Sequence, residues 1–171
     1  MAEGRTEPLY RLLRVQQPEA FDIVDGRVLI AGYGIAFEAN LNVIVRDATG
    51  AVVVRTFFST AGGDVWSNWQ TAVDLPDVPS TPGGFVEVTD RGGADLPVTL
   101  VTVPVVFGTA LVPGYRGFQL RMVQPGDTLS GIAEEFYGDA TLYPRIFEAN
   151  RNQVADPNLI FPGQSLRVPL T

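Results

Sequence analysis

Apolar residues recur along this chain in two rhythms, a period of two and then a helical period, with a Pro/Gly stretch between them. The first rhythm begins at Arg27, where Arg27-Val28-Leu29-Ile30-Ala31-Gly32-Tyr33 reads as a strand. From Asn40 to Arg46 the alternation puts Leu41, Val43 and Val45 on one face and Asn40, Asn42 and Arg46 on the other, with Ile44 breaking the pattern. Asp47-Ala48-Thr49-Gly50 is a turn, and Val52 to Phe58 returns as the partner strand of a hairpin. Further strands are predicted at Trp69 to Leu75, Phe85 to Thr89 and Val98 to Phe107, with Pro104 at an edge or bulge. Short strands separated by frequent turn signals, with no convincing helix among them, predict a β-sandwich. Ahead of them Leu9, Tyr10, Leu12, Leu13 and Val15 form either a short helix or a lead-in strand, ended by Pro18.

The second rhythm occupies the last third. Pro125-Gly126 is a turn, and the Asp127/Thr128 pair offers side-chain oxygens for a helix N-cap. Leu129, Ile132, Ala133 and Phe136 then fall at helical spacing until Gly138 stops the helix. A second helix is predicted from Leu142 to Asn150, burying Leu142, Ile146 and Ala149. With Thr141 as its N-cap, Pro144 falls in the first turn, where its missing N–H is not needed. Turns at Asp156-Pro157-Asn158 and Pro162-Gly163 lead to a strand from Ser165 to Val168. The unit is strand, helix, helix, strand.

The residues of this unit carry a resemblance. Pro125-Gly126-Asp127-Thr128-Leu129-Ser130-Gly131-Ile132-Ala133, Tyr137-Gly138, Ile146-Phe147-Glu148-Ala149-Asn150, Asp156-Pro157-Asn158-Leu159-Ile160 and Phe161-Pro162-Gly163-Gln164-Ser165-Leu166-Arg167-Val168-Pro169 together resemble a LysM domain from end to end. The resemblance implies a small α+β (βααβ) fold that binds peptidoglycan or chito-oligosaccharide, glycans containing N-acetylglucosamine, without catalysis. It also implies a groove between two loops, one of Gly126, Asp127, Thr128, Leu129 and Ser130, the other of Asn158, Leu159, Ile160, Phe161 and Pro162. Loop backbone groups would bond the N-acetyl amides, and Leu129, Ile160 and Phe161 would lie against the sugar ring. A contact area this small makes a single module a weak binder. Repeated copies normally compensate through avidity, and only one copy is present here. The stretch from Phe136 to Asn150 is longer and more aromatic than in many wall-binding members. It is similar to the branch found in a cytoplasmic potassium-binding protein and in phage-tail and injection-baseplate proteins, where the module serves as a docking unit. Tyr137, Tyr143 and Phe147 are accordingly expected in the core.

A second resemblance covers about residues 20–108. Ile30-Ala31-Gly32-Tyr33-Gly34, Phe37-Glu38-Ala39-Asn40-Leu41, Thr60-Ala61-Gly62-Gly63 with Trp69, and Val103-Pro104-Val105-Val106-Phe107 resemble the immunoglobulin-like domain of bacterial spore-germination proteins. The expected organisation is a lead-in at 1–19, an all-β immunoglobulin-like sandwich at 20–108, a linker at 109–117 around Pro113-Gly114, and a LysM domain at 118–171. The sandwich is expected to engage a protein partner. The alternative expectation is a structural component of a larger assembly, or an ion-responsive cytoplasmic protein, with no glycan binding.

Composition narrows the chemistry. The chain has 171 residues, no Cys and no His, so the commonest general base and the commonest thiolate and imidazole metal ligands are absent. Glu134 and Glu135 are adjacent on a helix and point apart, so they cannot work as a catalytic pair. Asp90-Arg91-Gly92-Gly93-Ala94-Asp95 lacks the Lys-Ser/Thr of a phosphate loop. No enzyme, cofactor or metal is expected. The net charge is −7, with −6 in residues 1–108 and −1 in the remainder, and every basic residue is Arg. An acidic chain without a basic run is a poor partner for nucleic acid or an anionic membrane, and no apolar run is long enough for membrane insertion. No signal peptide is visible at the N-terminus, which leaves two expectations open: the cytoplasm, or export by a signal that has been removed. Of Trp66 and Trp69, one is expected inside the sandwich and the other at its rim.

Overall fold

A computed structural model describes residues 13–61, 65–90 and 99–171. Leu9, Tyr10, Leu12, the Gly62-Gly63 motif and the glycine-rich loop of Arg91 to Asp95 lie outside the described residues. Among the described residues, eight strands build the N-terminal part: β1 (Leu13–Gln17), β2 (Asp22–Val24), β3 (Arg27–Gly34), β4 (Asn40–Asp47), β5 (Val52–Ser59), β6 (Ser67–Asp74), β7 (Gly83–Asp90) and β8 (Thr99–Phe107). They form a three-stranded sheet in the order β1-β3-β6 and a five-stranded sheet in the order β2-β8-β7-β4-β5. The two inner faces meet in one core, as in other sandwiches.

The core follows from the alternation. Leu41, Val43 and Val45 on β4 are fully buried, as are Val28 and Ile30 on β3 and Val86 and Val88 on β7. Ile44, out of step with its neighbours, is only half-buried and points outward. Trp69 enters this core opposite Gly32. A Cβ on Gly32 would stand 2.5 Å from the Trp69 ring and 2.0 Å from the Arg14 carbonyl oxygen, so that position has room only for glycine. Gly84 gives way to the Phe107 ring in the same manner, at 2.3 Å. The β4–β5 turn is fixed by buried Asp47, whose Oδ1 accepts from the Thr49 and Ala51 N–H groups at 2.9 and 3.0 Å. The Ser80 hydroxyl donates to its other oxygen, and this bond, followed by that from the Thr49 hydroxyl to Oδ1, holds the Asp47 carboxyl below its ordinary pKa.

Of the two readings of the lead-in, residues 13–17 take the strand: β1 is an edge strand antiparallel to β3, so it belongs to the sandwich and places Leu13 in the core. Pro104 lies where the short parallel β2 ladder begins, at the pair Asp22 and Val105, and its carbonyl accepts the Phe21 N–H at 2.7 Å.

The segment expected as a linker is folded. It opens with the short helix α1 (Gly108–Leu111), and Leu111 and Val112 are buried. They share a cluster with Val106 of β8, Ala149 of the C-terminal part and the half-buried Ile23. Pro113 and Gly114 remain exposed, with Gly114 in the left-handed region at φ 75°. Beside this contact a groove of about 760 Å³ opens between Phe85 and Pro104 on one side and Pro144, Glu148 and Arg151 on the other.

The C-terminal part consists of β9 (Gly117–Met122), α2 (Leu129–Tyr137), α3 (Tyr143–Ala149) and β10 (Ser165–Leu170), with β9 and β10 antiparallel. Thr128 is the N-cap of α2 and Gly138 its left-handed C-cap at φ 69°. The second helix starts later than the sequence suggests. Ala140–Leu142 forms a 3-10 turn whose cap is Asp139, not Thr141, with the Thr141 N–H 2.8 Å from Asp139 Oδ1. Pro144 then stands in the first turn of α3, which has no side-chain cap. Leu129, Ile132, Ala133, Ile146, Leu166 and Val168 fill the core between helices and sheet. Ala149, expected in that core, contributes to the cluster with the sandwich instead. Buried Asn150 fastens α3 to β10: its Oδ1 accepts the Arg167 N–H at 2.8 Å, and its Nδ2 donates to the Ile146 and Arg167 carbonyls at 2.7 Å each.

Candidate functional site

The two loops named from the sequence are neighbours because of Val123. This residue follows β9, and its N–H donates to the Gln164 carbonyl while its own carbonyl accepts from Gly163, both at 2.9 Å. One extended residue thus ties the loop after β9 to the loop before β10.

Each loop is then stiffened from within. In the first, Asp127 Oδ2 accepts the Gln124 N–H at 2.7 Å and lies 3.4 Å from Arg121, and Gly126 supplies the φ of 90° that the turn needs. The Asp127 carboxylate therefore acts as a brace. Thr128 Oγ1 accepts the Gly131 N–H at 3.0 Å and lies 3.1 Å from Ser130 Oγ. In the second loop Asp156 Oδ1 accepts from the Asn158 N–H at 2.9 Å and from its amide nitrogen at 3.1 Å. Gln164 Oε1 accepts the Phe161 N–H at 3.2 Å.

Between the loops lies a cleft of about 280 Å³, lined by Asp127, Thr128, Leu129, Ser130, Pro157, Asn158, Ile160 and Tyr143. Six of the residues singled out from the sequence therefore meet there, while Gly126, Leu159, Phe161 and Pro162 do not line it. Leu129, only 2% exposed, belongs first to the core. Ile160 also packs against the core, whereas its neighbours Leu159 and Phe161 are exposed.

Tyr143 and Pro157 are the lining residues that sequence reasoning missed. Tyr137 and Phe147 do pack on the core as expected, and the Tyr137 hydroxyl donates to the Pro169 carbonyl at 3.0 Å. Tyr143 differs from them. The available signal was Pro144, which confines Tyr143 to the first turn of α3, at the end of the helix nearest the loops.

Among the described residues the one charge lining the cleft is the Asp127 carboxylate, already paired with Arg121. What remains are hydroxyls, one amide, loop backbone and two apolar surfaces. Such a set suits a neutral, hydrogen-bonding ligand with an apolar face. Among the described residues no group of three or more Asp or Glu is placed to hold a metal ion. No helix in the described residues is long and apolar enough to cross a membrane.

Comparison with known proteins agrees with this architecture. The family model for the immunoglobulin-like domain of bacterial spore germination matches residues 12–95. The LysM domain model matches residues 122–169. Both are families of non-catalytic binding domains, and the LysM match supports a glycan-binding role of the peptidoglycan type.

Among curated proteins, potassium binding protein Kbp of Escherichia coli is 51% identical over 51 residues, 30% of this chain and 34% of that protein. A protein of Deinococcus radiodurans is 53% identical over 53 residues, 31% of this chain and 20% of its own length. An esterase of Mycobacterium tuberculosis is 57% identical over 49 residues, 29% of this chain and 10% of the esterase. The chain thus matches about a third or less of each of these relatives, over a length close to that of the LysM segment. Fold and family matches together give the chain's arrangement: a β-sandwich that matches the immunoglobulin-like domain of bacterial spore germination, followed by a segment that matches the LysM domain.

Proposed function

We propose that the protein is a non-catalytic binding protein whose LysM cleft takes a glycan containing N-acetylglucosamine, with peptidoglycan as the natural class of ligand. The observation that carries this reading is the cleft between Thr128–Ser130 and Asn158–Ile160, where neutral polar groups surround the apolar surfaces of Tyr143 and Ile160. An N-acetyl amide needs one donor and one acceptor, and a pyranose ring needs a flat apolar contact. A site of this size binds weakly.

In the same reading the sandwich engages a protein partner. The supporting feature is β5, which pairs with β4 alone, ends the five-stranded sheet and exposes Phe57 and Val52. Open strands of this kind accept an added strand. Glu134 and Glu135 supply no catalytic pair, since Glu134 accepts the Ala140 N–H at 2.8 Å while Glu135 faces Arg121.

The test is retention on insoluble peptidoglycan of the full chain beside Tyr143→Ala and Asn158→Ala. Retention of the wild type and loss in both variants, with unchanged circular dichroism, is the expected result. Equal retention of all three would place binding elsewhere.

A second reading has one observation in its favour, the 51% identity with a segment of a protein named for potassium binding. In that reading the chain is an ion-responsive or docking component without glycan binding. A thermal transition that rises with potassium but not with sodium, together with no retention on peptidoglycan, would favour it.

A further inference from the structure

The outer face of the three-stranded sheet carries an aromatic pair that the core does not use. In an antiparallel ladder, residues directly opposite each other share a face. The register of β1, β3 and β6 therefore sets Arg14, Tyr33 and Asn68 in one outward row and Gln17, Ala31 and Gln70 in the next. Trp66, just before β6, is 54% exposed, and its ring lies against Tyr33 with centroids 5.8 Å apart and planes tilted by 37°. The other tryptophan, Trp69, points inward and is buried.

These side chains make a specific chemical surface. Two tilted rings offer π faces to the C–H faces of successive pyranose rings. Asn68 and Gln70, both exposed, each offer an amide acceptor and two amide donors to sugar hydroxyls. The two rows hold no carboxylate, although residues 1–108 carry a net charge of −6. Their one charge is Arg14, which is exposed and makes no ion pair among the described residues.

We propose that this face, with Tyr33, Trp66, Asn68, Gln70 and Arg14 as its contacts, is a second glycan-binding site, selective for a polysaccharide that bears carboxylate groups. The cation at one end of an otherwise neutral aromatic and amide platform sets that selectivity. The site is chemically independent of the LysM cleft. Where one strand reaches both sites, the two weak contacts act together through effective concentration.

Trp66 provides the readout, because it is one of only two tryptophans and the other is buried. Tryptophan emission of the full chain is titrated with three probes: soluble glycan strands from peptidoglycan, oligogalacturonate, and neutral N-acetyl chitohexaose. A saturable change is expected with one or both carboxylate-bearing probes, and which of them responds identifies the source. Tyr33→Ala and Asn68→Ala, which keep the reporter, should weaken binding about tenfold or more. Arg14→Gln should weaken it about twofold to fivefold and remove its dependence on salt. Tyr143→Ala, in the LysM cleft, should leave the Trp66 response unchanged.

The last comparison separates the two sites. A Trp66 response that survives Tyr143→Ala supports the proposal even if the LysM cleft binds nothing. A response abolished by Tyr143→Ala and untouched by Tyr33→Ala overturns it. No emission change with any probe overturns it also, as does an equal response to the neutral oligomer and both acidic ones.

Discussion

Nη2 of Arg167, on the last strand of the LysM domain, donates to the main-chain oxygen of Phe21 in the sandwich, 3.2 Å away. The same guanidinium reaches Asn152 Oδ1 at 2.7 Å and lies over the Phe118 ring at 5.9 Å. Burial lowers its pKa, and Asp22 and Tyr115 oppose that shift. Arginine's ordinary value is so high that the group stays charged. Together with the cluster of Val106, Leu111, Val112 and Ala149, this contact joins the two domains on both sides of the folded segment between them.

That junction is testable through Ala149, which is fully buried in the shared cluster. Ala149→Glu would force a carboxylate into an apolar contact, and the least costly response is separation of the domains. Small-angle scattering should show a larger radius of gyration for the variant, while amide spectra of both domains remain dispersed. An unchanged scattering profile would mean that the cluster does not hold the domains together.

Gly32→Ala tests the fit of Trp69 in the sandwich. The added methyl collides with the Arg14 carbonyl and the indole ring, so β1 and Trp69 must both shift. The loss should be about 1–3 kcal/mol, the usual range for overpacking. A urea midpoint equal to that of the wild type would show that the core yields without strain.

The alkaline limb of stability should report Tyr137. Burial raises its phenol to about 12, with Arg145 opposing. An unfolded tyrosine loses its proton near 10, so between those two values the folded state holds more protons than the unfolded state. Stability is fully present below pH 10 and falls as pH rises from 10 toward 12. Tyr137→Phe should flatten this limb, leaving the smaller contribution of Tyr115, which burial also raises. A wild-type melting temperature constant from pH 9 to 11.5 would contradict the assignment.

The acid limb has the opposite sign. Asp47 and Asp139 are held below their ordinary pKa, chiefly by hydroxyl donors from Ser80 and Thr141. Their contribution is present above the ordinary carboxylate value and is lost as pH falls through the depressed one. Ser80→Ala should move the acid midpoint upward, and a midpoint unchanged by that substitution would exclude this bond as the cause.

Periodicity made most of the architecture legible. The alternation of Leu41, Val43 and Val45 reported a sheet with one dry face, and the spacing of Leu129, Ile132 and Ala133 reported a helix with one dry stripe. Most of the misses share a cause: they depend on contacts between segments distant in the chain. Leu13 reads equally as part of a short helix or of a lead-in strand until β3 provides its partner. Val112 and Ala149 read as a linker residue and a LysM core residue until Val106 covers both. One miss is local instead: Thr141 reads as the cap before Pro144, whereas the 3-10 turn at Ala140–Leu142 is capped by Asp139.

In the site, the two loops were visible as turn signals, whereas the direction of each side chain was not. Ile160, expected to lie against the sugar ring, packs on the core, and its neighbours Leu159 and Phe161 stand exposed. An Ile160→Asp variant would therefore confound folding with binding, while Tyr143→Ala removes a ring that is 37% exposed.

The most direct measurement of the central claim is an amide-shift titration of the full chain with N-acetyl chito-oligosaccharides of increasing length. The expected result is saturable shifts confined to Thr128–Ser130, Tyr143 and Asn158–Ile160, strengthening with oligomer length, insensitive to salt and absent in Tyr143→Ala. Unmoved resonances at those positions in millimolar oligomer would contradict the glycan-binding account of the LysM cleft.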